Sequence, residues 1–276
     1  MESSIFQKNE FEGVSKNKTM TQNDIDLYKQ LVKTIFKMRY KGSILGFLWV
    51  LLKPFFMFLI LFVIFSATAG AAGGLTSKQY AVYLLSGLII YTFFNEGFTW
   101  GMNSIMDRAD LIVKINFKRS IVVISALTMA LINFIINFCI IGGIGIALDI
   151  KYLPNCLAYV LLICFVMFLG MYGISFFTSI WRVYVRDLTH ISELVLQLLF
   201  YASAVFFPVE MVPEKYRFII SYNPLAVFIQ AVRNALIYGE ITHLKFVLAS
   251  LAFSVILVFI GKSYFDKHIL KIAEHF

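Results

Sequence analysis

Long apolar runs, separated by short polar stretches that hold most of the charge, organise this sequence. Six of them reach the roughly 20 residues a helix needs to cross a bilayer: about 46–68, 80–103, 120–148, 156–180, 190–210 and 244–264. Ahead of the first run the pattern has a different period. Ile25, Tyr28, Leu31, Val32, Ile35 and Phe36 recur at helical spacing, while Lys29, Lys33, Lys37 and Lys41 repeat every fourth position. An apolar stripe opposite a lysine stripe predicts an amphipathic helix over 22–41, lying in a membrane interface. Thr21 or Asn23 is placed to cap it, and Asp24 and Asp26 suit its positive end. An ordinary solvent-exposed helix is the alternative, but no soluble domain follows it. Residues 1–21 are polar without periodicity and read as a flexible tail.

The stretch after the fifth run is too broken to span and too apolar for a free loop. Phe207-Pro208-Val209-Glu210-Met211-Val212-Pro213 ends the run, and Tyr216 to Tyr238 is interrupted by Asn223-Pro224, Gln230 and Arg233. A pair of short re-entrant helices over 212–238 satisfies both constraints, provided protein shields the turn. A seventh span would put the C-terminal lysines on the opposite side, against the charge pattern described next. The expected architecture is an all-α polytopic membrane protein. It has a 42–265 transmembrane domain of six spans, an N-terminal interfacial helix, re-entrant helices between spans five and six, and a 266–276 tail.

Composition agrees: 60% of the 276 residues are hydrophobic, 14% charged, and mean hydropathy is +0.81. A soluble domain is nearer half apolar and a quarter charged. The net charge of +8 does not point to nucleic acid, because the bases cluster at the ends of apolar runs. No cleavable signal precedes Ile44, so the N-terminus is expected in the cytoplasm. Six alternating spans then place 18 of the 24 Lys and Arg residues inside and 6 outside, as the positive-inside rule requires. The C-terminus is cytoplasmic on the same count. Cys139, Cys156 and Cys164 lack metal spacing and read as buried thiols.

Enzyme chemistry finds little support. No Gly-x-x-x-x-Gly-Lys-Ser/Thr occurs, Gly261-Lys262 lacks the upstream glycine, and His190, His243, His268 and His275 are scattered. Glu96, beside Asn95 and among Tyr91, Phe93, Phe94, Phe98 and Trp100, is a carboxylate within the second span, by default functional or paired. Aromatic rings also stack on sugar C–H surfaces. Trp49, Tyr91, Phe94, Glu96 and Trp100 are therefore candidates for a passage lining, with packing and belt roles as the alternative. Lys53 lies a turn too deep and must snorkel or face protein and water. Two short loops carry mixed charge: Asp107, Arg108, Asp110 and Lys114 between spans two and three, and Arg182, Arg186 and Asp187 between four and five. They suit docking of a soluble partner or lipid headgroups.

Three stretches carry a family resemblance. These are Arg39-Tyr40-Lys41-Gly42-Ser43-Ile44-Leu45-Gly46-Phe47-Leu48-Trp49 through Pro54, then Asp110 through Lys118-Arg119, then Val185-Arg186-Asp187-Leu188 with Phe207-Pro208-Val209, Tyr222-Asn223-Pro224-Leu225 and Arg233. Together they resemble the ABC-2 type permeases that export cell-surface polysaccharides such as O-antigen, capsule, rhamnan and teichoic acid. Lys118 departs from the pattern, where such proteins often carry proline. The resemblance implies a homodimer in the bacterial plasma membrane, among membrane lipids and without nucleic acid. It implies two copies of a separate ATPase on the charged loops, with ATP and Mg bound there and no cofactor in this chain. It also implies a glycan on an undecaprenyl diphosphate lipid, whose headgroup enters at Arg39, Tyr40 and Lys41. Rival readings are an ABC-2 permease for a drug or lipid, an embedded enzyme acting on lipid-linked sugars, and a scaffold.

Overall fold

The computed structural model describes residues 22–68, 74–115, 117–147 and 153–272, and these form helices and connecting turns without strands. Of the two tails read from the sequence, 1–21 and the last residues of 266–276, 273–276, lie outside the described residues, while 266–272 continue the final helix. In chain order the helices are α1 (Gln22–Tyr40), α2 (Trp49–Phe65), α3 (Ser77–Asn103), α4 (Ala109–Lys114), α5 (Ser120–Ala147), α6 (Pro154–Tyr184), α7 (Leu188–Ala202), α8 (Arg217–Ser221), α9 (Pro224–Arg233) and α10 (Leu244–Ile272). A π-helical turn, Asn234–Tyr238, extends α9.

Local chemistry sets several boundaries. Thr76 and Gln79 form a capping box that starts α3, with Gln79 N donating to Thr76 Oγ1 at 3.3 Å and Thr76 N donating to Gln79 Oε1 at 3.0 Å. Pro154 and Pro224 open α6 and α9, where a missing N–H costs nothing. The α1–α2 elbow bends at Gly42 and Gly46, whose φ values of +87° and +46° favour residues without a Cβ.

α3 is the central helix, flanked by α5 and α6. Small residues let it approach: a Cβ on Gly97 would fall 2.3 Å from Met171 Sδ, and one on Gly101 would fall 1.9 Å from Ser175 Oγ. α6 and α10 pack along each other and run parallel. Val166 meets Ser254, Phe176 meets Phe265, and a Cβ on Gly261 would fall 2.7 Å from the Gly173 carbonyl. α2 lies outermost, with only Val50 and Leu61 buried; Phe62 and Phe65 touch Tyr80 and Phe206.

Among the described residues five helical segments are long and apolar enough to cross a membrane: Gly46–Phe65, Ser77–Asn103, Ser120–Ile144, Pro154–Tyr184 and Leu244–Lys271. The run 190–210, read as a span, holds α7, whose 15 residues reach about 22 Å against a hydrocarbon core of about 30 Å. The chain leaves helix at Ser203, and Ala204 takes a left-handed φ of 50°.

The bundle has two chemically distinct ends. α3 and α6 finish, and α5 begins, at an end carrying Arg39, Lys41, Arg108, Lys114, Lys118, Arg119, Arg182 and Arg186. We call it the basic end. The segment 202–238 caps the far end.

Candidate functional site

At the basic end α1 docks on α5 through its apolar stripe. Leu31 is buried, Tyr28 Oη and Thr128 Oγ1 share a 2.9 Å hydrogen bond, and Lys118 Nζ pairs with Asp24 at 3.1 Å. Lys118, the residue that breaks the family pattern, thus ties the start of α5 to the first turn of α1. Lys29, Lys33 and Lys37 stay exposed on the opposite face.

The end of α1 reaches α3 and α5 together. Tyr40 Oη donates to Asn133 Oδ1 at 3.2 Å, and Asn133 Nδ2 donates to Glu96 Oε2 at 2.9 Å. Asn137 Nδ2 closes on the Asn133 carbonyl at 2.9 Å. The Arg39 guanidinium carbon lies 3.4 Å above the Trp100 ring centroid, a cation–π stack. Glu96 also feels the charges of Arg39 and Lys53. The joint between α1 and the bundle therefore gathers Arg39, Tyr40, Glu96 and Trp100, which the sequence assigned to two separate roles.

Two clefts open on this joint. One, narrow, is lined by Pro54, Ile89, Thr92, Glu96, Asn133 and Asn137. The other, wider, lies between α1 and the end of α3 and is lined by Ile35, Arg39, Trp100, Asp107, Arg108 and Ala126. Burial pushes the Asp107 carboxyl above its usual range, opposed by Arg108, Arg39 and Arg182. Burial likewise pushes the Tyr40 phenol up, against its bond to Asn133. Around Glu96 and Asp107 stand Arg39, Lys53, Arg108 and Arg182, so cations outnumber carboxylates. Guanidinium groups with spare donors suit a phosphate or diphosphate.

The charged loops meet at the same end. Ile112 is buried and anchors α4, leaving Asp110, Val113, Lys114 and Ile115 exposed. Arg182 Nε donates to Asn103 Oδ1 at 3.3 Å, joining the end of α6 to the end of α3. Arg186 and Asp187 are exposed beyond it, and Arg108 Nη1 lies 3.6 Å from Met38 Sδ of α1. One loop therefore touches α1 directly.

Other residues named from the sequence lie elsewhere. Tyr91 is buried on the far side of α3, donating its hydroxyl to the Leu196 carbonyl of α7 and meeting Phe200 edge-on. Phe94 stacks with Phe98, Trp49 is exposed at the start of α2, and Lys41 is exposed at the elbow. Sequence reasoning missed Asn133 and Asn137. Their spacing of four inside an otherwise apolar run was the available signal. It also missed a polar file on α3, in which Thr99 Oγ1 donates to Asn95 Oδ1 at 3.3 Å and Asn103 Nδ2 donates to the Thr99 carbonyl at 3.0 Å.

The far-end cap is built from carbonyls that helix geometry no longer serves. Asn223 Nδ2 donates to Ala202 O, Arg233 Nη1 to Ala204 O at 2.9 Å, and Arg233 Nη2 to Val205 O. Tyr80 Oη donates to Phe206 O at 2.8 Å and Tyr83 Oη to Phe207 O at 3.2 Å. Arg233 is 2% exposed, and Arg233 Nε also donates to Tyr83 O at 3.1 Å. Four carbonyls of a non-helical stretch, and that of Ala202 at the end of α7, thus have side-chain donors, as irregular backbone shielded from water requires.

A family model described as ABC-2 type transporter matches residues 26–237. An O-antigen export system permease protein RfbA of Klebsiella pneumoniae is 29% identical over 252 residues, covering 90% of this chain and 94% of the relative. A second such permease from Klebsiella pneumoniae is 26% identical over 249 residues, with the same coverage. One from Myxococcus xanthus is 23% identical over 246 residues, covering 88% and 93%.

Proposed function

Since this chain belongs to the ABC-2 type transporter family, we propose that it is the membrane subunit of an exporter for a lipid-linked cell-surface polysaccharide. The observation that carries the reading is the joint of α1 with the bundle. There Arg39 stacks on Trp100, and a surplus of cations surrounds Glu96. A diphosphate headgroup, such as that of an undecaprenyl diphosphate carrier, would meet Arg39, Tyr40 and Lys41 first. The sugar chain would then follow the face of α3 that offers Asn95, Glu96, Thr99 and Trp100, where amides and hydroxyls replace hydration of sugar hydroxyls. Trp49 and Phe94 extend this aromatic lining, while Tyr91 serves packing against α7.

The chain crosses the membrane six times in this reading. α6 and α10 are parallel, so the residues between Tyr184 and Leu244 must return the full length of the bundle. α7 begins that return, and the pinned stretch through Phe207 completes it. Tyr91 bonding to Leu196 and Tyr80 bonding to Phe206 fix α7 antiparallel to α3. α8 and α9 then dip into the outer leaflet as the re-entrant pair. The basic end faces the cytoplasm, with α1 in the interface and both termini inside. Two copies of the chain form the passage, and two copies of a partner ATPase supply ATP and Mg chemistry.

Changing Arg39 and Lys41 together to Ala is expected to cut export about tenfold or more while the chain still inserts, scored by surface glycan against membrane-fraction protein. Normal surface glycan would remove these residues from headgroup entry. For the ATPase, Arg108, Arg186, Asp107, Asp110, Lys114, Arg182 and Asp187 form the contact surface. Charge reversal at the first two, Arg108→Glu with Arg186→Glu, is expected to strip the ATPase from an affinity-purified complex. Undiminished copurification would return the loops to lipid headgroups.

A further inference from the structure

A second surface of the chain, on the side of α10 away from the α1 joint, is ordered from apolar to aromatic to cationic. Phe253, Ile256, Ile260, Tyr264, Lys267 and Lys271 follow one another at spacings of three and four, so they form one stripe of α10. Phe253, Ile256 and Ile260 are 65%, 55% and 56% exposed. From Phe253 to Tyr264 the stripe rises about 16 Å, which is about half of a hydrocarbon core. Lys267 and Lys271 stand about 4.5 and about 10 Å beyond Tyr264.

The middle of the stripe is a built aromatic seam rather than a loose belt. Trp181 of α6, half exposed, donates Nε1–H to Tyr264 Oη at 3.1 Å. Phe177 lies 5.1 Å from the Tyr264 ring, and His268 stacks on that ring at 4.1 Å. His268 Nδ1 is 2.8 Å from the Tyr264 carbonyl. A carbonyl only accepts, so Nδ1 carries the hydrogen and Nε2 is left for other partners. Lys267 and Lys271 are exposed, and neither has an acidic partner among the described residues. The nearby carboxylate, Asp266, interacts with Lys262, and both lie off the stripe.

We propose that this α6–α10 seam is a binding site for an anionic phospholipid of the surrounding bilayer. The acyl chains lie along Phe253, Ile256 and Ile260. The glycerol region rests against Trp181 and Tyr264, and the phosphate meets Lys267 and Lys271. The order of the stripe favours this occupant: apolar positions, then aromatic rings, then lysines repeat the order of hydrocarbon, interface and headgroup phosphate in a bilayer leaflet. The site is separate from the α1 joint and concerns the resident lipid, not the exported one.

The test titrates the purified full-length chain in detergent with phosphatidylglycerol, phosphatidylcholine or farnesyl diphosphate and counts bound lipid by native mass spectrometry. Phosphatidylglycerol is expected to bind ahead of phosphatidylcholine. The double variant Lys267→Gln with Lys271→Gln should weaken phosphatidylglycerol about 25-fold, about fivefold per lysine, and leave phosphatidylcholine unchanged. Lys262→Gln removes one charge on the opposite side of α10, half the change of the double variant, and should change neither. Tyr264→Phe frees the indole N–H, keeps the ring, and should cost about twofold. It carries the test if the double variant does not fold. Equal losses in Lys262→Gln would reduce the site to bulk charge, and an unaffected double variant or Tyr264→Phe would remove it. Displacement of phosphatidylglycerol by farnesyl diphosphate would assign the seam to an isoprenoid diphosphate substrate. A variant that keeps its lipid but loses a copurifying ATPase would assign it to that protein. Either outcome overturns the proposal.

Discussion

Arg233→Ala is expected to lower the thermal midpoint of the detergent-solubilised protein by about 10 °C and to abolish export. The arginine is fully enclosed, stacks 3.5 Å from the Tyr83 ring centroid, and donates to the carbonyls of Tyr83, Ala204 and Val205. Removing it orphans the Ala204 and Val205 carbonyls, at about 1–3 kcal/mol each, while the Tyr83 carbonyl keeps the Ser86 hydroxyl. A total of about 4 kcal/mol corresponds to a midpoint shift of that size in a chain of this length. Arg233→Lys keeps the charge but not the fork of donors, so an intermediate loss is expected. Gly87→Ala should reproduce much of the defect without touching the arginine. Its Cβ would fall 2.4 Å from Arg233 Nη2 and 2.7 Å from the Val205 carbonyl. A midpoint within a degree of the parent protein in both variants would mean the cap holds without this staple.

The second large effect is expected at the polar joint. Asn133→Leu leaves Glu96 and the Tyr40 hydroxyl without the amide that bridges them, and a loss of about 2–3 kcal/mol follows from stranding a carboxylate inside the bundle. Glu96→Leu alone strands the Asn133 amide instead. The double variant removes both polar partners, which is close to neutral when shapes match. Thermal midpoints should therefore be strongly non-additive, with the double variant more stable than Asn133→Leu. Export should stay low in all three, because each variant removes Asn133, which holds Tyr40, or Glu96, whose charge faces Arg39, or both. Additive midpoints would show that Asn133 and Glu96 do not depend on each other.

Much of the helical layout was legible from hydropathy, because a chain in lipid must bury its backbone donors in long helices. The lysine stripe of α1 and the basic end were legible for the same reason, since charge marks the ends of apolar runs. α7 was misjudged in length. Composition is continuous through Phe206, and the stop at Ser203 comes from tertiary partners, Asn223 and Arg233, that lie far on in sequence. The site was half legible. Arg39, Tyr40, Glu96 and Trp100 stood out as polar or aromatic groups in the wrong surroundings. Asn133 did not, because one amide in an apolar helix has no chemical signature until its neighbours are known. Tyr91 stood out by composition alone, and its hydroxyl proved to serve a carbonyl of α7.

The donors that pin residues 202–207 come from α3 and α9, so this stretch cannot shift alone without breaking several bonds at once. Displacing it means moving a slab made of the start of α3, the end of α7 and α9. α2 is different: two buried side chains and a few ring contacts hold it, and its first residue follows a glycine elbow. In mechanical terms the stiffness of the subunit is uneven. α2 is its compliant edge, and the far side, stapled by Arg233, is its stiff one.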